Sequence, residues 1–183
     1  MTRELIKVHV GELKQLFNSI DPSPFREKDL DPAAEEFIIE WAREAHRHAA
    51  LSLQVHVDRP SGPAGPESED AALGDAVHEY FRARAKATRA RLRLVFRNGR
   101  ISLLIGIVCL TASVGLGSLV ERWLTQLRGG DLVRESLLIG GWVAMWRPLE
   151  TFLYDWWPIR AEAKLFDRLG EMSVRITYGG GSD

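Results

Sequence analysis

Among its 183 residues the chain has a single cysteine, Cys109. That excludes an intramolecular disulfide and a cysteine-based zinc cluster. No glycine-rich phosphate loop, paired catalytic carboxylates or Ser/Cys nucleophile motif occurs, so no enzyme activity and no cofactor are expected. The opening residues, Met1 to Lys7, lack the apolar core of a signal peptide, so membrane insertion is expected to use an internal span. A net charge of −1 and a pI near 6.5 give no overall basic excess, and nucleic acid is not an expected partner. Most telling is a local lack: there is no Asp or Glu between Tyr80 and Val120.

Arg82, Arg84, Lys86, Arg89, Arg91, Arg93, Arg97 and Arg100 fill the first half of that acid-free stretch. Its second half, Ile101 to Val120, is twenty residues without a charge. At about 1.5 Å per residue this crosses a hydrocarbon core of about 30 Å. A second span is expected from Ser136 to Trp157, after an external loop over 121–135 with a turn at Gly129-Gly130. Eight cations precede the first span and three (Arg122, Arg128, Arg134) lie in the loop, so both termini are expected on the cytosolic side. Trp123 suits the outer interface; Trp146, Tyr154, Trp156 and Trp157 suit the inner one. The exposed stripe Arg82, Lys86, Arg89, Arg93, Arg97 and Arg100 suits anionic lipid, at about 1 kcal/mol per cation.

Outside the spans the pattern is α+β. Period-two alternation marks strands at Leu5–Val10, Leu51–Val57 and Met172–Tyr178. A short helical piece is expected over Glu12–Asn18, then a turn at Asp21-Pro-Ser-Pro-Phe25. Asp31-Pro32 has the chemistry of a helix start, and Ala34, Phe37, Ile38, Trp41 and Ala45 are expected on the buried face. The expected organisation is a cytosolic α+β domain over 1–58, a Pro/Gly linker over 59–67 and a long basic helix over 68–100. Span 1 (101–120), the loop and span 2 (136–157) follow; a helix and strand over 158–178 complete the domain, and 179–183 form a tail. Three strands packed on one or two helices would make the small sheet, since two alone would be marginal. Leu73, Val77, Phe81, Thr88, Leu92 and Val95 form a near-heptad stripe that suits packing on this domain or a short coiled coil.

The second span is marginal by itself. Its clean apolar part, Ser136–Trp146, is eleven residues, and Arg147, Pro148, Glu150 and Asp155 follow. A central Arg costs about 2.5–3.5 kcal/mol, while its apolar residues together return roughly 2–4 kcal/mol. It is therefore expected to insert as a hairpin with the first span. Small residues suited to packing the two spans together, or to joining protomers, are Ser113 with Gly117, Thr111 with Gly115, and Gly140 with Ala144. Arg147 and Glu150 are three apart and suited to pair. With Asp155 they are the intramembrane charges, with either an anchoring role or a conducting one.

The run Gly141-Trp-Val-Ala-Met-Trp-Arg-Pro-Leu-Glu150, then Leu153-Tyr-Asp-Trp-Trp-Pro158, resembles a family of uncharacterised bacterial two-span inner-membrane proteins. The resemblance extends to Asn18–Phe25 and implies an inner-membrane location, with no activity attached. Mitochondrial-type calcium uniporters share a two-span hairpin with Trp and a Glu-Pro motif. Here Pro148 precedes Glu150 and Arg147 replaces the acidic ring residue, so that function is not carried over. His9 and His56 sit in matching Val-His-Val triplets and suit neighbouring positions; solvated side chains rather than a metal site are expected. The chain thus reads as a non-enzymatic membrane scaffold or sensor, homo-oligomeric, with the bilayer and an unidentified cytosolic protein as partners. The alternative is a small channel or transporter subunit using Arg147 and Glu150.

Overall fold

The fold is that of a computed structural model, which describes residues 3–18, 28–46, 49–58, 66–124 and 130–179. The chain divides into two compact units: 1–87 with 162–183, and 88–161.

The first unit is a three-stranded parallel sheet backed by helices. Strand β1 (Arg3–Val10) turns Ile6 and Val8 inward and Lys7 and His9 outward. Strand β2 (Ala50–Val57) buries Leu51, Leu53, Val55 and Val57. Strand β3 (Ser173–Tyr178) half-buries Val174, Ile176 and Tyr178. The order is β1-β2-β3, with both pairs parallel and in register from Arg3↔Ala50 and from Ser52↔Ser173. Period two locates each strand but carries no direction. Parallel neighbours need a crossover, and helix α1 (Pro32–Glu44) supplies the first. The second contains all three remaining helices, α2 (Pro66–Leu124), α3 (Gly130–Glu150) and α4 (Trp156–Leu169).

Helix α1 begins as the sequence indicates. The Asp31 carboxylate accepts from the Ala33 N–H at 2.9 Å, and Pro32 takes the first helical position. Its rotation differs from expectation. Ile38 and Ala45 are buried and Ala34 is half-buried, but Phe37 and Trp41 are 41% and 44% exposed. Glu35 and Ala42 take the inner positions instead. The cause is Arg84 of α2, whose guanidinium binds the Glu35 carboxylate and makes an inward-facing acid tolerable. Before α1, the expected short helix is a single 3₁₀ turn, Leu13–Leu16, with both leucines buried. The Asp21–Phe25 turn lies outside the described residues.

Helix α2 starts at Pro66, two residues before the expected Ser68 cap, and is 59 residues long. Leu73, Val77 and Phe81 are fully buried, with Ala76 and Ala85, in one core with Ile38, Leu53, Val55, Phe166 and Leu169. This part of the stripe therefore packs on the sheet unit. The first-turn acids act on β3: Asp70 Oδ1 accepts from the Ile176 N–H at 2.5 Å, and Glu69 from the Tyr178 hydroxyl. They satisfy groups on a sheet edge that otherwise has no strand neighbour. Burial, then the Glu69 hydrogen bond, pushes the Tyr178 phenol up to about 12. Helix α4 buries Ala163, Phe166 and Leu169, with Ile159 half-buried on the same side, as its spacing indicates.

The second unit contains the rest of α2 and all of α3. Gly99, Gly106 and Ser113 recur every seven residues along α2 and meet α3 or the π-helical turn Thr151–Asp155 that follows it. A Cβ on Gly99 would lie 3.0 Å from Thr151, and one on Gly106 would lie 3.3 Å from the Ala144 carbonyl oxygen. A Cβ on Gly141 would lie 2.9 Å from that of Ser113. Contacts that climb α2 as they descend α3 make the pair antiparallel. Gly99 therefore serves close packing, and the helix continues unbroken through Asn98-Gly99. Residues 121–124 continue α2 and residues 130–135 begin α3, so much of the expected loop is helical; Gly129 lies outside the described residues. Beyond Glu150 a π-helical turn, Thr151–Asp155, leads into α4. Pro158 has no N–H to return to Tyr154, which favours a break in the α ladder here. The Trp156 Nε1–H donates to the Phe152 carbonyl at 2.8 Å inside this turn.

Candidate functional site

Within 69–120 of α2 lies a stretch long and apolar enough to cross a membrane, the only one among the described residues. Its most apolar window has a mean hydropathy of 2.3 and is 11% buried within the chain. A core helix of that composition would be covered on most sides; this one exposes Leu104, Ile107, Val108, Leu116 and Leu119 at 50% or more. Cys109 is exposed in the same stretch. Helix α3 also exposes Ile139, Trp142, Val143 and Trp146 at 59% or more, but it carries Asp131, Arg134, Glu135, Arg147 and Glu150.

Arg147 and Glu150 do pair. Arg147 donates an N–H to Glu150 at 3.2 Å, with the side chains 78% and 42% exposed. They lie away from the α2 contact, where Gly141 and Pro148 are buried. The Arg147 carbonyl accepts from the Thr151 hydroxyl at 3.2 Å. Asp155 is exposed at the end of the π turn.

Of the four packing residues, Ser113 and Ala144 lie at the helix contact. Gly117 meets the Arg134 side chain, its Cβ position being 3.4 Å from Cγ. Gly140 is open within the chain. Nothing lies within 4 Å of its Cβ position, and Gly141 packs instead. Gly115 is open in the same way, while Thr111 spends its hydroxyl on the Ile107 carbonyl at 2.8 Å. An apolar helix has no polar side to fix its rotation, so small-residue spacing alone does not say which glycine faces the neighbouring helix.

Trp146, Tyr154 and Trp157 are 60–70% exposed. Trp156 is half-buried between Phe96 and the Arg160 guanidinium, which stands 5.6 Å from its ring centre. The side chain of Trp123 lies outside the described ones. Arg82, Lys86, Arg89, Arg93, Arg97 and Arg100 are all exposed on α2.

Two clusters in the sheet unit bear on the site. His9 and His56 are register partners with ring centres 4.7 Å apart. The matching triplets made this neighbourhood legible. His56 Nδ1 lies 3.3 Å from the Thr177 hydroxyl. The described residues contain no group of three or more His, Cys, Asp or Glu placed to hold a metal. The second cluster, Glu35, Tyr80 and Arg84, has no sequence motif. Arg84 Nε donates to Glu35 at 2.8 Å, and its guanidinium stands 5.8 Å from the Tyr80 ring centre. Burial, then a hydrogen bond to Glu35, raises the Tyr80 phenol far above its usual range; the Glu35 hydrogen bond raises Arg84 further. These groups hold α1 to α2.

Comparison with protein-family models, with curated proteins and with solved structures finds no match.

Proposed function

We propose that the chain is a bacterial inner-membrane protein that crosses as a helical hairpin, with both ends cytosolic, and serves as a non-enzymatic scaffold or sensor. One observation carries this reading. Strand β3, which follows the apolar helices, pairs in register with β2, which precedes them. A chain that crosses once at α2 must cross back to reach the same sheet, and α3 with the π turn is the segment available. The cations from Arg82 to Arg100 retain that sheet on the cytosolic side. Close packing at Gly99, Gly106 and Gly141 offsets the marginal hydrophobicity of the second segment. The exposed basic face of α2 contacts anionic headgroups, and the sheet unit presents itself to other proteins.

The native cysteine tests this reading. In sealed membranes Cys109 reacts with a permeant maleimide after denaturation but not with a charged, impermeant one added from either side. Ready labelling of the folded protein by the impermeant reagent would show a wet stretch and end the hairpin reading.

A second reading, a channel or transporter subunit, draws on the outward-facing Arg147–Glu150 pair. Charges in a span face a partner, water or headgroups. If they line a shared axis, Arg147→Leu abolishes conductance in reconstituted bilayers while the assembled mass is unchanged. Wild-type protein without conductance leaves the scaffold.

A further inference from the structure

Among the described residues, two surfaces of the sheet unit have no partner, and they complement each other. The first is the open face of the sheet. Helices α1, α2 and α4 all pack on the opposite face, against Ile6, Leu53 and Val55. The registers lay out the open face in rows: Leu5–Ser52–Ser173, Lys7–Gln54–Arg175 and His9–His56–Thr177. Lys7 and Arg175 are both exposed, with no partner among the described residues, at the two ends of the middle row. Asp58 follows β2 in the alternation that places Gln54 and His56 on this side.

The second surface is the outer side of α1. Glu36, Glu40 and Glu44 follow one another at single-turn spacing, all exposed. Phe37 and Trp41 run beside them, 41% and 44% exposed. None of these three acids pairs with another described residue. The spacings agree. Two strand intervals place Lys7 and Arg175 about 9–10 Å apart, and Glu36 to Glu44 spans about 12 Å of helix.

We infer that the open sheet face of one copy receives the acidic, aromatic side of α1 from a second copy. The helix lies across the strands with its glutamates over the Lys7–Arg175 row. Phe37 and Trp41 then cover Leu5 and the imidazoles, where a cation beside an indole adds attraction. The two surfaces differ and lie on opposite sides of the two-layer unit. Contact between copies is therefore heterologous and closes into a ring or extends as a chain. This inference goes beyond the hairpin reading and does not rest on it.

The test uses the full chain in detergent, with mass measured by light scattering. The wild type is expected to associate, and more weakly as salt rises. Lys7→Glu with Arg175→Glu, and separately Glu36→Lys with Glu40→Lys, are each expected to weaken association at least about tenfold. Mixing the two reversed proteins restores it, because each then offers the other opposite charge on both surfaces. Circular dichroism confirms that each is folded. Should a reversal fail to fold, Phe37→Ser with Trp41→Ser, both surface positions, replaces it and is expected to lose association in the same way. A monomeric wild type, reversed proteins with unchanged mass, or a mixture that stays dissociated would each overturn the inference.

Discussion

Glu35 faces the core of the sheet unit, and Arg84 meets it there. The two partners are unequal: the Glu35 side chain is 11% exposed and that of Arg84 is 49% exposed. Arg84→Met strands a buried carboxylate and is expected to destabilise the unit by roughly 1–3 kcal/mol. Glu35→Gln keeps an acceptor and leaves Arg84 half in water, so its cost is smaller. Urea unfolding of both variants checks the order; equal costs would mean the pair has no part in seating α1. This cluster also shows where sequence reading stopped. Phe37 and Trp41 have the hydrophobicity of core residues, and nothing local says that a cation 49 residues downstream draws Glu35 inward. His9 and His56 were different. Equal triplets in two strands with one apolar face each made their adjacency readable before any coordinates.

Among the elements, the strands and the start of α1 were legible because their signals are local: alternation, an Asp cap, a proline at the first turn. Strand direction was not, since period two is the same read either way. The contact between α2 and α3 was legible in kind but not in rotation. Neighbouring glycines now give opposite expectations. Gly140→Ala adds a methyl to open space and gains helix propensity, so stability is unchanged or raised by up to about 1 kcal/mol. Gly141→Ala drives a methyl into Ser113 and Leu110 and costs about 1–3 kcal/mol through overpacking. Thermal unfolding in one detergent distinguishes them. The same sign at both positions would place the helix contact elsewhere. The π turn is a further feature that spacing did not announce. It lies between Pro148 and Pro158, where the ladder loses donors, and the Trp156 indole supplies one back at the Phe152 carbonyl.

For the whole molecule, the decisive fact is that the sheet is completed by segments on both sides of the apolar helices. Strands β1 and β2 alone would be a marginal pair, so the fold of the sheet unit depends on the return of the chain. The sequence made three strands, their apolar faces and the charge asymmetry visible; it did not show which strand sits in the middle. With β2 central, β3 buries its inner face only if α4 also reaches the unit, and Phe166 and Leu169 in the shared core show that it does. The hairpin reading requires an even number of crossings between Val57 and Ser173. The direct measurement is labelling of Lys14→Cys and, separately, Glu171→Cys by an impermeant maleimide, in a Cys109→Ala background, with sealed vesicles of both orientations. Both positions are exposed and lie outside the two surfaces inferred to dock. The expected result is that both react from the cytosolic side only. Reaction from opposite sides would mean a single crossing and would contradict the sheet itself.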